Sequence, residues 1–322
     1  PMKTHHDVCA YRRDRPWWQD AVVYQVYPRS FADSTGDGIG DLPGILDRLD
    51  YLVDLGIDAL WISPFYTSPM RDGGYDVADY RDVDERLGTL ADIDRLIAAC
   101  HERGLRIIMD IVPNHTSSDH RWWREVLTSE PGSPAWARYM IRPGRGASAN
   151  EPPSNWRSVF HGPGWSRLIL DDGTTTDYWY LHLFDHTQPD LNWVNDEVPI
   201  DALNTLAFWL DLGVDGFRVD VALGLAKDMT YPDLIDPIGM SQSLRFDLDP
   251  GSAEAVERRA ALANSALFDR DEIQDIYRQW RSLLESYGND KMAVVEAWVA
   301  PERASRYVAP DTLHQIFGFD FL

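Results

Sequence analysis

The stretch Gly216-Phe217-Arg218-Val219-Asp220-Val221-Ala222 sets an arginine and a carboxylate two positions apart in what reads as a buried strand. Residues two apart on a strand face the same way. A permanently charged guanidinium favours the ionised form of a neighbouring carboxyl, so Asp220 is expected to stay anionic at neutral pH and to be able to act as a nucleophile. Read alone, the pair is more simply a structural ion pair, and catalytic use requires an acid partner. Glu296, in Val294-Val295-Glu296-Ala297-Trp298, closes the next apolar run, and its apolar surroundings are of the kind that raise a carboxyl's pKa. Asn114 and His115 close an earlier run of the same type; singly, the first reads as a turn residue and the second as a core histidine. A last group, Asp33-Ser34-Thr35-Gly36-Asp37-Gly38-Ile39-Gly40-Asp41, spaces oxygen ligands at alternate positions, as a hard cation needs, or forms a glycine-rich turn with solvated acids.

The elements that must position these residues repeat one unit. Ala21–Pro28 reads as a first strand buried on both faces. Ile45, Leu49, Leu52 and Val53 predict a helix stopped by Gly56, and a strand follows from Ile57 to Ser63. Ile93, Leu96, Ile97 and Cys100 predict a helix stopped by Gly104, followed by a strand from Leu105 to Val112. Leu203, Leu206 and Leu210 lead to Gly213 and the Arg218/Asp220 strand; Ile273, Ile276, Tyr277, Trp280 and Leu284 lead to Gly288 and a strand from Met292 to Trp298; a final run spans Leu313–Phe321. Leu55-Gly56-Ile57-Asp58 and Leu212-Gly213-Val214-Asp215 are nearly the same phrase. The alternation predicts α/β architecture with parallel strands and right-handed crossovers, six of the eight strands of a (β/α)8 TIM barrel. In such a barrel the site forms at the C-terminal strand ends, where Asn114, His115, Asp220 and Glu296 fall.

Two stretches break the rhythm. Residues 116–199, rich in Pro, Gly, Trp and Asn, predict an irregular subdomain inserted after the third strand, leaving 1–115 and 200–322 for the barrel. A second excursion covers 223 to about 270.

The 322 residues provide a sizeable core. With 30 Lys and Arg against 52 Asp and Glu, the net charge of −22 argues against nucleic acid or an anionic membrane as partner and favours a neutral or cationic ligand. The 13 Trp and 14 Tyr suit stacking on sugar faces. Cys9 and Cys100 lack the spacing of a disulfide frame or zinc site, and the N-terminal residues lack an apolar signal core, so a cytoplasmic chain is expected.

Asp110-Ile111-Val112-Pro113-Asn114-His115, Gly216 to Ala222, and Glu296-Ala297-Trp298 together resemble the first three conserved regions of the α-amylase superfamily, glycoside hydrolase family 13. Gln188-Pro189-Asp190-Leu191-Asn192-Trp193 resembles the inserted-domain signature of its oligo-1,6-glucosidase and α-glucosidase branch. The resemblance implies Asp220 as nucleophile and Glu296 as acid/base, their carboxyls about 5 to 5.5 Å apart as in a retaining enzyme. It implies Arg218, His115 and Phe184 as sugar contacts, and Asp72 and Tyr75 as the pocket-closing carboxylate and stacking ring. It implies exo-action on short α-glucosides, with transglucosylation as the variant. Trehalose synthase-like or sucrose isomerase-like transfer and a non-catalytic subunit of the same fold are the alternatives. Asp33, Thr35, Asp37, Ile39 and Asp41 resemble the branch's structural Ca2+ loop, with Mg2+ as the substitute and Thr35 standing where asparagine is usual. No His-Asp pair follows Glu296, so the family's third carboxylate and strands seven and eight are expected from a further C-terminal segment.

Overall fold

The computed structural model describes residues 15–235, 252–254, 256–257, 263 and 265–319. Six strands form one parallel sheet in chain order: β1 (Val23–Val26), β2 (Ala59–Ile62), β3 (Arg106–Ile111), β4 (Gly216–Val219), β5 (Met292–Val295) and β6 (Gln315–Ile316). Helices lie between them: α1 (Leu42–Asp47) and α2 (Leu49–Leu55), α3 (Leu90–Glu102), α4 (Glu197–Asp211), α5 (Ile273–Ser286) and α6 (Pro301–Tyr307). A parallel neighbour for each successive strand, with a helical crossover between, is the topology of a (β/α) barrel. One face of the sheet surrounds a hollow of about 540 Å³ lined by Gln25, Trp61, Ile108, Val294, Gln315 and Phe317.

The helices form where apolar spacing and caps coincide. Thr89 and Asp92 make a reciprocal capping box at the start of α3, a device that stabilises by about 1 kcal/mol. Ile93, Leu96, Ile97 and Cys100 make its buried face, and Gly104 ends it at φ 75°. The first helix is two: Arg48 leaves helical geometry at φ −106°, ψ 4°, and separates α1 from α2. In α5 the buried face is Ile273, Tyr277, Trp280 and Leu284, with Ile276 only partly covered.

Three further expectations change. β1 is not buried on both faces: Val23 is 42% exposed and only Val26 is fully covered, because the strand stands at the sheet edge with β2 as its one neighbour. Residues 116–199 are more regular than their composition suggests. They contain the helix Arg121–Thr128 and a three-stranded antiparallel sheet whose central strand, Thr175–Leu181, pairs with Ile141–Pro143 and Trp165–Ile169. The last strand is short, Gln315–Ile316; residues 320–322, Cys9 and, within the second excursion, 236–251, 255, 258–262 and 264 lie outside the described residues.

Candidate active site

Register sets the site. Asp110 on β3 pairs with Arg218 on β4, which pairs with Val294 on β5, so the side chains of Asp110 and Arg218 share the inner face near the strands' C-terminal ends. Gly216 admits the close approach of β4 to β5, since a Cβ there would lie 2.7 Å from the Met292 carbonyl oxygen. Arg218 Nη1 donates to Asp110 Oδ1 at 2.8 Å and to Asp220 Oδ1 at 2.6 Å, and Nη2 meets Glu296 Oε2 at 2.7 Å. Its guanidinium lies 5.3 Å from the centre of the Trp61 ring and 5.8 Å from that of Tyr75. One cation therefore serves three carboxyls.

Asp220 and Glu296 are thus held on the two terminal nitrogens of one guanidinium. The Asp220 N–H donates to the Ile111 carbonyl (2.9 Å), and the Glu296 N–H to the Val219 carbonyl (3.0 Å). Between them, Val221 is held at φ 46°, a left-handed backbone that costs a β-branched residue about 1–3 kcal/mol.

The electrostatics reverse one expectation. Asp220 sits above, not below, the ordinary carboxylate range: burial is the chief cause, Glu296 and Asp110 add to it, and Arg218 opposes it without prevailing. Burial likewise lifts Asp110 to about 6 against the pull of Arg218. Glu296 and Asp110 crowd the same guanidinium, so Asp220 holds its proton to higher pH than an ordinary carboxyl.

The other expected contacts gather around the same cavity, of about 310 Å³, whose lining includes Asp72, Tyr75, His115, Phe184, Arg218, Asp220 and Glu296. The Tyr75 hydroxyl donates to Asp110 Oδ2 at 3.3 Å. Burial raises the Asp72 pKa, opposed by the hydrogen bond that its Oδ2 accepts from Gln188 Nε2 at 2.8 Å. His115, buried and depressed to about 4, is neutral at pH 7; its ring lies 5.1 Å from Phe184.

The residues that sequence reasoning left out are Asp110, Gln188, Lys227, Phe160 and Trp298. Asp110 carried a signal: it stands next to last on β3, as Arg218 does on β4. Gln188 stands in the quoted Gln188-Pro189-Asp190 stretch and joins Asp72 to His115. Lys227 carried none. It is buried, pairs with Asp190 at 2.8 Å and donates to Asn114 Oδ1 at 2.8 Å, contacts that arise only when the loop after β4 folds back on the inserted segment.

The oxygen-rich loop lies apart. Asp33 Oδ1 accepts the N–H groups of Thr35 and Gly36, and its Oδ2 accepts that of Gly38. These bonds, led by Gly38, hold its carboxyl below the ordinary range. Asp37 Oδ1 accepts from Ile39, and Asp41 caps α1 through the Gly44 N–H at 2.6 Å. Among the described residues no three His, Cys, Asp or Glu side chains converge to hold a metal ion. The loop carboxylates fit a cation only to the extent that a free oxygen, such as the second of Asp37, or a backbone carbonyl can replace these internal bonds.

The sequence pattern of the family described as alpha amylase, catalytic domain, matches residues 25–322. The chain belongs to the α-amylase catalytic-domain family. It is 42% identical over 309 residues to an oligo-1,6-glucosidase of Heyndrickxia coagulans, covering 95% of this chain and 51% of that protein. It is 48% identical over 223 residues to an α-glucosidase of Candida albicans, covering 68% of this chain and 38% of that one. Among solved structures of the family, trehalose-6-phosphate hydrolase of Bacillus licheniformis superposes with a TM-score of 0.80 at 34% identity, covering 95% of this chain and 50% of that one. A trehalulose synthase variant does so with a TM-score of 0.80 at 35% identity and the same coverage. The chain thus spans about half the length of the curated relatives it matches.

Proposed function

We propose that the protein is an exo-acting, retaining α-glucosidase that removes terminal α-linked glucose from short oligosaccharides. The observation that carries this is the placing of Asp220 and Glu296 on the two terminal nitrogens of one guanidinium, at 2.6 and 2.7 Å, which supports the short carboxyl spacing of a retaining pair. In this reading Asp220 attacks the anomeric carbon and forms a glycosyl ester. The bond to the leaving oxygen breaks as Glu296 gives that oxygen its proton. Glu296, now ionised, takes a proton from water, whose oxygen attacks the same carbon and releases Asp220. Arg218 steadies the carboxylate charge.

Asp72, Gln188, His115 and Phe184, joined to one another, wall the pocket around a terminal glucose, which supports exo-action. Relatives named oligo-1,6-glucosidase and α-glucosidase support the substrate class. Transfer to a sugar hydroxyl instead of water is the same chemistry with another acceptor, and the likeness to trehalulose synthase supports it as a side reaction.

Incubation with maltose, isomaltose and p-nitrophenyl α-glucoside tests the reading, with the first product followed by NMR. α-Glucose is expected; β-glucose, or no turnover of any of the three, would reject it.

Two finer points belong to the same proposal. The spacing of Asp33, Thr35, Asp37, Ile39 and Asp41 supports a structural Ca2+, with Mg2+ as substitute, and a melting temperature that falls on chelation and recovers with Ca2+ is the expected result. The buried free thiol of Cys100 suits a cytoplasmic location, and among the described residues no helix is long and apolar enough to cross a membrane.

A further inference from the structure

The loop that leaves the Asp220 end of β4 continues to the inserted segment and is fastened there. Asp233 Oδ1 accepts the Asn155 backbone N–H at 2.8 Å, and Oδ2 accepts Arg145 Nη1 at 2.8 Å. The Asn155 side chain returns the attachment: its Nδ2 donates to the Leu234 carbonyl and its Oδ1 accepts the Leu234 N–H, each at 2.8 Å. Trp156 Nε1 donates to the Pro232 carbonyl at 2.8 Å. Tyr231 packs between these parts, 5.6 Å from the Trp156 ring and 5.9 Å from Trp165, with the Arg142 guanidinium 4.9 Å from its centre. Its backbone is held at φ 52°, a strain that persists only where the surroundings over-determine it.

The anchored stretch runs directly to the pocket. Ser158 Oγ donates to the Phe184 carbonyl at 2.7 Å and accepts the Phe160 N–H at 3.0 Å. The Val159 N–H donates to the Leu183 carbonyl at 2.7 Å. Phe160 packs edge-on against Phe184 at 5.4 Å yet is 51% exposed, while Asp220 and His115 are buried. A sugar held against Asp220 would fill the floor, and its leaving group would emerge past the Phe160 ring.

We propose that residues 231–234 form a strap that fixes Phe160 at the mouth and so selects the leaving or accepting sugar, with Asp233 and Asn155 as positioning residues. The proposal rests on the α-glucosidase reading.

The test compares maltose with α-glucosyl fluoride, whose leaving group is too small to reach the mouth. Asp233→Ala is expected to lower kcat/KM for maltose relative to the fluoride about tenfold, chiefly through KM, with turnover of the fluoride within about twofold of the unaltered protein. Asn155→Ala, which cuts the strap from the other side, is expected to behave alike. Asp233→Asn keeps an oxygen for the Asn155 N–H and is expected to recover most of the ratio. Phe160→Ala should produce the same fall in ratio, and adding Asp233→Ala should change it little further, because both act through one ring. Equal losses on the two substrates, an unchanged ratio, or additive effects in the double variant would overturn the strap. Failure of the unaltered protein to turn over either substrate is a different result: it would overturn the glucosidase reading, and the strap with it.

Discussion

Strand β4 is bracketed by two buried aspartates with opposite surroundings. Asp215, just before the strand, is met by donors: the Ile107 N–H at 2.9 Å, Arg106 Nη1 at 2.8 Å and His101 Nε2 at 2.7 Å. Asp220, just after it, receives Arg218 but shares that cation with Asp110 and Glu296. Equal burial therefore yields two kinds of carboxylate. Where every neighbour donates, the carboxyl oxygens are held by hydrogen bonds and the group staples β3 to β4. Where carboxyls crowd one guanidinium, charge is left unbalanced and a proton is retained, which suits chemistry at the expense of stability.

Swapping the two ends should separate activity from stability. The largest effect is expected at the site: Asp220→Asn should lower turnover by about 10⁴-fold or more. The same change removes one of three clustered acids, so thermal denaturation should show a melting temperature equal to or above that of the unaltered protein. Asp215→Ala should do the reverse. It leaves the Ile107 N–H, Arg106 and His101 without their acceptor, and denaturant unfolding should show a loss of about 2–3 kcal/mol while kcat stays within a few-fold.

Arg218→Lys should show what the guanidinium contributes. Lysine keeps the charge but loses the fork, which weakens the pull that opposes burial at Asp220, so the Asp220 pKa rises further. Since attack needs an ionised nucleophile, the acid limb of kcat/KM should move to higher pH; a limb that stays in place or moves down would contradict the shared-cation account.

The smallest effect concerns His120, which caps the helix Arg121–Thr128 by accepting the Trp122 N–H on Nδ1. Burial depresses its pKa to about 3. Its folded value lies below the unfolded value of about 6.5, so its contribution is present above that pH and is lost as pH falls from about 6.5 toward 3. His120→Asn, which retains a capping oxygen, should flatten that part of the stability–pH curve.

The same contrast explains what was legible in the sequence. The barrel units were readable because helical spacing, glycine stops and apolar runs agree, as at Ile93 to Gly104 and at Gly216 to Ala222. The Arg218–Asp220 contact was readable because the two residues stand two apart in the sequence. The direction of the Asp220 pKa was not, because Glu296 and Asp110 come from neighbouring strands and the balance against burial depends on their approach. The edge exposure of β1 depends on sheet neighbours, and Lys227 meets Asn114 only through a loop that folds back. In the inserted sheet, aromatic residues at consecutive positions, Tyr178-Trp179-Tyr180, obscure the alternation that marks a strand.

The most direct test of the central claim, that Asp220 and Glu296 are one retaining pair, is to capture the covalent intermediate. Glu296→Gln should still accept glucose from α-glucosyl fluoride, whose departure needs little acid help, but should release it slowly for want of a base. Mass spectrometry of proteolytic peptides is expected to find a glucosyl ester on Asp220. A glucosyl group on another carboxylate, or turnover that gives β-glucose with no adduct, would contradict the account.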